Sequence, residues 1–405
     1  MSLHTVNNLR DSVAGLLSGI DINNVENLNG ALERASRTLI QNADIPEASG
    51  IQNITLYSGV YDYLCDSRIF GTAINDIRPQ GISRYPNNFP IKTDQETFDR
   101  NKMVYYPSGT YSTFEFHNGV PIIRIVAPYT TQQVIISTMN NLDNWTTVGD
   151  ATNLAVDSTF FYQAPASLRF NLSASGSSGG IQQTLQSPID MTSYQGVGVV
   201  FLAVEMPTAS DIASYTLRIG SDSSNYYTVT TTSAFLGNFT SGEFQLAPFD
   251  LANATTVGSP DITNIQYVQC TANYNGTAQT NMRFGYLFAS LPTPAQILYQ
   301  SSAIFLPVGS TTPLSTITAN TDTIILTDAA YTLYEYESAI SICQQTGGTT
   351  GSAMIQTFKQ ILNGDGRETG LYQKYRGDNP SQELRTLDSW YDNQSSYNGG
   401  YSGSW

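Results

Sequence analysis

The side chains of this chain best suited to chemistry are the carboxylates between residues 141 and 290: Asp143, Asp150, Asp157, Asp190, Glu205, Asp211, Asp222, Glu243, Asp250 and Asp261. Two of them facing each other across a sugar would make a glycosidase, one as general acid and the other as nucleophile or base. Most, however, fall in Ser-, Gly- and Asn-rich stretches between strand-like runs, where Asp ordinarily caps a turn, and the spacing sets no two face to face. Loop carboxylates of this kind also hold structural Ca²⁺ when backbone carbonyls complete the shell, but no particular set is marked out here. The two histidines, His4 and His117, fall in a terminus expected to fray and beside a hairpin turn. Neither has a Ser or Cys elbow nearby. With no phosphate-binding glycine loop either, the sequence predicts a protein that is not an enzyme and needs no cofactor.

Aromatic side chains offer the other chemistry, stacking on sugar rings. Trp145, Phe160, Phe161, Tyr162, Tyr194, Tyr226, Tyr227, Phe239 and Tyr274 lie in the same segment, and Trp145, Tyr226, Tyr227 and Tyr274 are the candidate glycan contacts. In a sandwich about half of such rings must instead face the core.

The elements that would carry these residues read as β-structure. From Asn141 to Ala289 the chain has three arginines (Arg169, Arg218, Arg283), no lysine and no histidine. Strand-like runs at 167–172, 180–185, 196–205, 214–219, 226–231, 242–248, 262–271 and 281–289 recur between turn residues, the pattern of an all-β jelly-roll sandwich over 141–290. Leu291-Pro-Thr-Pro294 reads as a stiff linker closing it. Residues 1–140 read as a helical hairpin (2–20 and 24–43, the second capped by Asn23 or Asn24) followed by short strands at 54–57, 60–64, 73–77, 113–117 and 121–126, with Asn118-Gly119 as a hairpin turn and Arg78-Pro-Gln-Gly81 as a loop. Residues 291–376 return to helices, one capped by Asp328 and running to Gln345, one capped by Ser352 and stopping near Gly364. Residues 377–405 form a polar arm. The fold class is therefore α+β and multidomain, helical flanks and a small β subdomain around an inserted sandwich.

Composition sets further bounds. Only 13% of the 405 residues are charged, the formal net charge is −15, and there are 25 tyrosines. Such a surface suits protein assemblies and disfavours a general grip on nucleic acid, which needs clustered Lys and Arg. Cys65, Cys270 and Cys343 are odd in number and widely spaced, which predicts free, buried thiols. No secretory leader is visible in MSLHTVNNLRDSV, and no run of about 18 apolar residues suggests a membrane span.

Two resemblances add to this. Asn144-Trp145, Ala166-Ser-Leu-Arg-Phe170 and Met282-Arg-Phe-Gly-Tyr-Leu-Phe288, in that order, resemble carbohydrate-binding-module-like jelly rolls, which implies the fold and glycan binding without transferring particular contacts. The flanks, with Ala31-Leu-Glu-Arg-Ala35, Leu56-Tyr-Ser-Gly-Val-Tyr-Asp-Tyr63, Ile74-Asn-Asp-Ile-Arg-Pro79, Tyr331-Thr-Leu-Tyr-Glu-Tyr-Glu337, Leu371-Tyr-Gln-Lys-Tyr-Arg376 and Asn379-Pro-Ser-Gln382, resemble head-to-tail connector (neck adaptor) proteins of tailed bacteriophages. That likeness implies a homo-oligomeric ring in the virion neck, assembled in the host cytoplasm. Portal and tail proteins would be its partners, and DNA would pass through its channel without specific binding. It also implies a C-terminal assembly arm carrying Leu371, Tyr372, Tyr375, Trp390, Tyr391 and Trp405. The rival expectation is a glycan-binding receptor or decoration component touching host-surface sugars.

Overall fold

The computed structural model describes residues 4–43, 45–79, 92–93, 110–112, 115–117, 120–126 and 133–378. Two compact units emerge. One comprises residues 1–52, 66–77 and 297–405, the other 53–65 and 78–296.

The second unit is dominated by an antiparallel β-sandwich. Its strands are β1 (Gln133–Ser137), β2 (Trp145–Gly149), β3 (Ala151–Asp157), β4 (Ser167–Leu172), β5 (Ser178–Ile189), β6 (Val199–Glu205), β7 (Ile212–Asp222), β8 (Asn225–Thr231), β9 (Gln245–Asp250), β10 (Thr255–Val257), β11 (Ile265–Tyr274) and β12 (Gln279–Ser290). Six of them pair in the order β2-β5-β11-β7-β8-β10; β3-β4-β12-β6-β9 form the facing sheet, to which β1 adds along β12. Alternation decides which side chains meet between the sheets. Ile181, Tyr215, Leu217, Ile219, Val268 and Cys270 come from the six-stranded sheet, and Leu168, Phe170, Val200, Leu202, Phe249 and Phe284 from its partner. Tyr215 and Phe284 meet edge to face at 5.9 Å.

Part of the outer side of the five-stranded sheet is also apolar, and that part is covered. Phe201 on β6 stacks on Phe288 of β12 at 5.3 Å. Tyr57 and Phe235 meet Phe201 edge-on at 5.1 and 5.6 Å, and Tyr63 packs on Phe235 at 5.7 Å. Tyr57 and Tyr63 belong to the small β portion, where Asp62–Leu64 pairs antiparallel with Val120–Val126. Tyr63 hydroxyl donates to the Val60 carbonyl and accepts from the Tyr57 amide. The Asn118-Gly119 turn and residues 80–81 lie outside the described residues, although Glu115–His117 pairs antiparallel with Val120–Ile122 on either side of that turn.

The first unit gathers helices from both ends of the sequence: α1 (Val6–Leu16), α2 (Leu28–Asn42), α3 (Asp328–Thr346), α4 (Gly348–Asn363) and α5 (Leu371–Asp378). Leu9, Val13, Leu32, Leu39, Tyr334, Ile342, Phe358 and Leu362 share one core. The Tyr334 and Ser341 hydroxyls of α3 donate to the Leu32 and Ala31 carbonyls of α2 at 2.9 and 2.8 Å. His4–Thr5 pairs with Thr323–Ile324.

Several local expectations change. The cap of α2 is Asn27, in the left-handed region at φ 54° with its side chain accepting from the Gly30 amide, while Asn23 and Asn24 sit in a short 3-10 turn capped by Asp21. Thr327, not Asp328, caps α3, and α4 begins at Gly348, so that Ser352 lies inside it and donates to the Gly348 carbonyl. Residues 293–294 open a strand, Thr293–Ser301, so they do not act as a linker. His4 is held rather than frayed: its ring stacks on Tyr331 at 3.7 Å, and Nε2 lies 2.8 Å from Asp328 Oδ1. All three cysteines are buried, and none forms a disulfide.

The contrast between the two outer faces is measurable. Phe201 is fully buried on the covered side, so Phe201→Ala is expected to cost about 3–5 kcal/mol in chemical denaturation. Thr230, exposed on the outer side of the six-stranded sheet, is expected to cost under about 1 kcal/mol as Thr230→Ala.

Candidate functional site: the outer face of the six-stranded sheet

The register of the six-stranded sheet aligns its outward side chains in rows. One row crosses every strand: Thr146 pairs with Gln182, Gln182 with Gln269, Gln269 with Arg218, Arg218 with Thr228 and Thr228 with Thr255. At about 4.8 Å per strand this row spans roughly 24 Å, the length of a short oligosaccharide or peptide. Beside it, Thr184, Tyr267, Gly220, Tyr226 and Val257 form a second row, and Val148, Gly180, Thr271, Thr216 and Thr230 a third. Alternation puts this set outward for the same reason it sends Leu217, Ile219 and Val268 inward.

The middle of the face is built around Arg218. Its guanidinium lies over the Tyr226 ring, 5.0 Å from the centroid. Gly220 separates Tyr226 from Tyr267 in their row. A Cβ there would come within 2.1 Å of the Asn225 carbonyl oxygen and 2.8 Å of the Tyr226 Cβ, so only glycine lets the hairpin close this tightly. The two tyrosine rings approach to 6.4 Å across that gap. Tyr267 hydroxyl donates to Gln269 Oε1, with Gln182 Oε1 3.2 Å away. Burial pushes the Tyr267 hydroxyl up from its ordinary value, and the charge of Arg218 works against that shift. Tyr267, Gln269 and Thr271 are each only 7% exposed and make the floor; Thr146, Thr184, Thr230 and Thr255 are exposed around it. On one flank Asn273 donates to Ser214 and Thr216 hydroxyls at 2.8 and 3.0 Å.

Only one of the four aromatic candidates reaches this face. Tyr226 is on it. Trp145 is 5% exposed and packs between the sheets, because the residue that follows it, Thr146, takes the outward position on β2. Tyr274 is also in the core cluster, its hydroxyl donating to the Ser173 carbonyl at 2.6 Å. Tyr227 is partly buried against the core, its hydroxyl 3.5 Å from the Pro260 carbonyl. Gln182, Arg218, Tyr267 and Gln269 went unread because only cross-strand register brings them into one row. Their visible trace in the sequence is the polar alternation Tyr226-x-Thr228-x-Thr230 and a lone arginine in a Lys-free strand.

The carboxylates are mostly spent on turns, as the Asp-rich loops suggested. Asp190 and Asp261 accept from the Thr192 and Thr263 amides and hydroxyls; Asp222 and Asp250 close turns on Ser224, Asn225 and Ala252; Asp150 accepts from the Ser177 amide; Asp211 accepts from Asn275 and Gln279 side chains. Asp143 accepts from Gln183 through its backbone carbonyl, and Glu243 bonds the Thr240 hydroxyl. Asp157 and Glu205 do converge, on the outer side of the five-stranded sheet, but on Arg283: Nε donates to Asp157 at 2.8 Å and Nη1 to Glu205 at 2.7 Å. Phe160 lies under the same guanidinium at 5.1 Å. Both carboxylates are buried. Hydrogen bonds from Thr159 and Arg283 outweigh burial and hold Asp157 well below the usual carboxylate range, whereas burial dominates at Glu205 and raises it. Among the described residues no three His, Cys, Asp or Glu side chains cluster as metal ligands, and no helix is long and apolar enough to cross a membrane.

In the helical unit, a cavity of about 320 Å³ is lined by Arg34, Asn42, Glu337, Gln344 and Lys359 among others, without an aromatic ring. Tyr372 and Tyr375 are 5% and 4% exposed, and Leu371 packs against the same core. Tyr372 hydroxyl bonds Glu337. These three arm candidates thus sit inside the unit's own core, and Trp390, Tyr391 and Trp405 lie outside the described residues.

No known family profile matches the chain, and no curated protein matches it in sequence. Solved structures do: carbohydrate-binding β-sandwich domains resemble about 40% of it. The family 30 carbohydrate-binding module of a cellulosomal cellulase of Clostridium thermocellum is 14% identical, covering 39% of this chain and 96% of its own, with a TM-score of 0.31. A β-sandwich carbohydrate-binding module described for its promiscuous specificity is 13% identical over 60% of this chain and 98% of its own, at 0.29. The xylan-binding domain of family 22 is 16% identical over 40% and 97%, at 0.26.

The Asp157–Arg283–Glu205 cluster yields a pH prediction. A carboxyl whose folded-state pKa is depressed stabilises the fold above its ordinary range and loses that contribution as pH falls through it. Asp157→Asn should therefore lower the melting temperature at pH 7, and the gap to the wild type should shrink as pH is taken from 5 towards 2 in calorimetry. A gap unchanged over that range would contradict the assignment.

Proposed function

We propose that the sandwich is a carbohydrate-binding module and that its ligand lies along the outer face of the six-stranded sheet. One observation carries the reading. The row Thr146–Gln182–Gln269–Arg218–Thr228–Thr255 sets hydrogen-bonding side chains at even spacing across six strands, with the tyrosine rings 226 and 267 alongside. An extended sugar chain needs those two things: repeated polar partners for hydroxyls and a flat apolar surface for the ring faces. The role is binding rather than catalysis. Asp157 and Glu205, the carboxylates that share a partner, are tied to an arginine and turned away from this face.

A second reading concerns where such a module would be displayed. Residues from both ends of the sequence, with 66–77, build one helical unit, so the sandwich is carried within the segment 78–296 that interrupts it in sequence. The connector resemblance of the flanks is what supports this reading, in which the unit is part of a homo-oligomeric ring at the virion neck, between portal and tail. Native mass spectrometry of the full chain tests this. A closed ring of defined stoichiometry supports it, and a monomer at all concentrations, also in the presence of portal and tail proteins, removes it.

For the binding reading, the full chain is expected to bind at least one oligosaccharide on a broad glycan array. Tyr226→Ala should weaken that binding about tenfold in titration calorimetry, the effect of losing about 1.4 kcal/mol of ring stacking. Trp145→Ala should reduce stability instead of altering contacts with the sugar. Silence across the array, or full affinity in Tyr226→Ala, would overturn the reading.

A further inference from the structure

The charge distribution on the proposed binding face differs from that of the rest of the molecule. The chain as a whole carries a formal charge of −15. Yet the six strands of this sheet contain one carboxylate, Asp222, and it stands at the hairpin end of β7 with its oxygens accepting from the Ser224 and Asn225 amides and from Asn225 Nδ2. The same strands contain one cation, Arg218, in the central row.

Among the described residues, Arg218 is bonded to no carboxylate, in contrast to Arg283 with its two acidic partners. Its Nε is buried and makes no hydrogen bond. A ligand does not reach that buried atom; what the partly exposed side chain offers to an acceptor from outside the chain is its remaining donors and a charge that no carboxylate cancels. The surroundings are donors too. Gln269 and Gln182 turn their Oε1 atoms towards the Tyr267 hydroxyl, which leaves their Nε2 amides for a ligand. Cation–π contact with Tyr226 holds the guanidinium plane in place without neutralising it.

From this we infer that the face selects an acidic glycan, one whose carboxylate or sulfate is received by Arg218 together with the Gln182 and Gln269 amides. The inference rests on the reading of this face as a carbohydrate site and specifies its ligand class. A planar fork of N–H donors fits a carboxylate in a bidentate manner, and matches two oxygens of a sulfate as well. Neutral sugars offer hydroxyl acceptors but no charge to cancel that of the arginine, so an acidic residue every few sugars along the chain gives the face its selectivity. The bulk negative charge of the protein then repels the same polymer elsewhere, confining it to this row.

The test uses the full-length protein against four probes: an oligogalacturonate, a sulfated galactan oligosaccharide, a neutral β-glucan oligosaccharide and a neutral xylan oligosaccharide. Binding is measured by calorimetry at low and high salt, with Arg218→Met and Arg218→Lys checked for folding by circular dichroism. The expected result is binding of one or both acidic probes, weakened by salt. Arg218→Met should reduce it about ten- to a hundredfold, with a smaller loss in Arg218→Lys, which keeps the charge but not the fork. Preference between the uronate and the sulfate distinguishes the two sources of the anionic group. Binding confined to the neutral probes, or acidic-probe affinity unchanged in Arg218→Met and Arg218→Lys, would overturn this inference while leaving a carbohydrate site in place. No binding to any of the four, together with silence on the wider array, would remove both. Should Arg218→Met fail to fold, Arg218→Lys and the salt dependence of the wild type carry the decision.

Discussion

A pleated strand shows alternate residues to opposite sides, so each sheet of a sandwich has an inner face that must be apolar and an outer face whose chemistry is free. The rest of this structure follows from how the chain uses that freedom twice, in opposite ways. On the five-stranded sheet the outer positions include Phe201 and Phe288, and rings from Tyr57 and Phe235 must cover them. On the six-stranded sheet the three outer rows are mostly Thr, Gln and Tyr with one Arg, beside Val148, Val257 and two glycines. The first arrangement ties the small β portion to the sandwich. The second leaves a wide polar face with two tyrosines and a cation at its middle.

The same constraint explains where charge is tolerated. Arg283 is partly buried against two buried carboxylates, and the cluster is tolerated there because Asp157 and Glu205 accept hydrogen bonds from the guanidinium. Arg218 has no such escort. A cation kept half-exposed over a tyrosine ring, with its Nε unmet, is poor design for stability alone, and departures of that sort from internal satisfaction tend to mark functional positions.

Much of the sandwich was legible in the sequence, because turn residues and alternation punctuate it: the runs at 167–172 and 226–231 reappear almost unchanged as strands. The α3 and α4 helices were legible for the same reason, though their first residues were not, since Thr327 and Gly347 outcompete Asp328 and Ser352 as starting points. The site was far less legible. Trp145 and Tyr274 looked like sugar contacts by residue type, but which side of a strand a ring takes depends on register, and register is fixed by partners far away in sequence. Gln182, Gln269 and Arg218 meet across separations of up to 87 residues, with nothing local to announce it. Tyr372 and Tyr375 were misplaced by the opposite error: aromatic residues near a polar tail suggested an arm, while Glu337 and the α2–α3 core draw them inward.

The central claim is that the outer face of the six-stranded sheet, and no other surface of the sandwich, receives a sugar chain. Hydrogen–deuterium exchange of the full chain with and without a bound oligosaccharide addresses it most directly. The account predicts that added protection falls on peptides covering 182–184, 214–218, 226–230 and 267–271, with the five-stranded sheet and the helical unit unchanged. Protection centred instead on the loops joining the two sheets, or on strands β4 and β12, would contradict it.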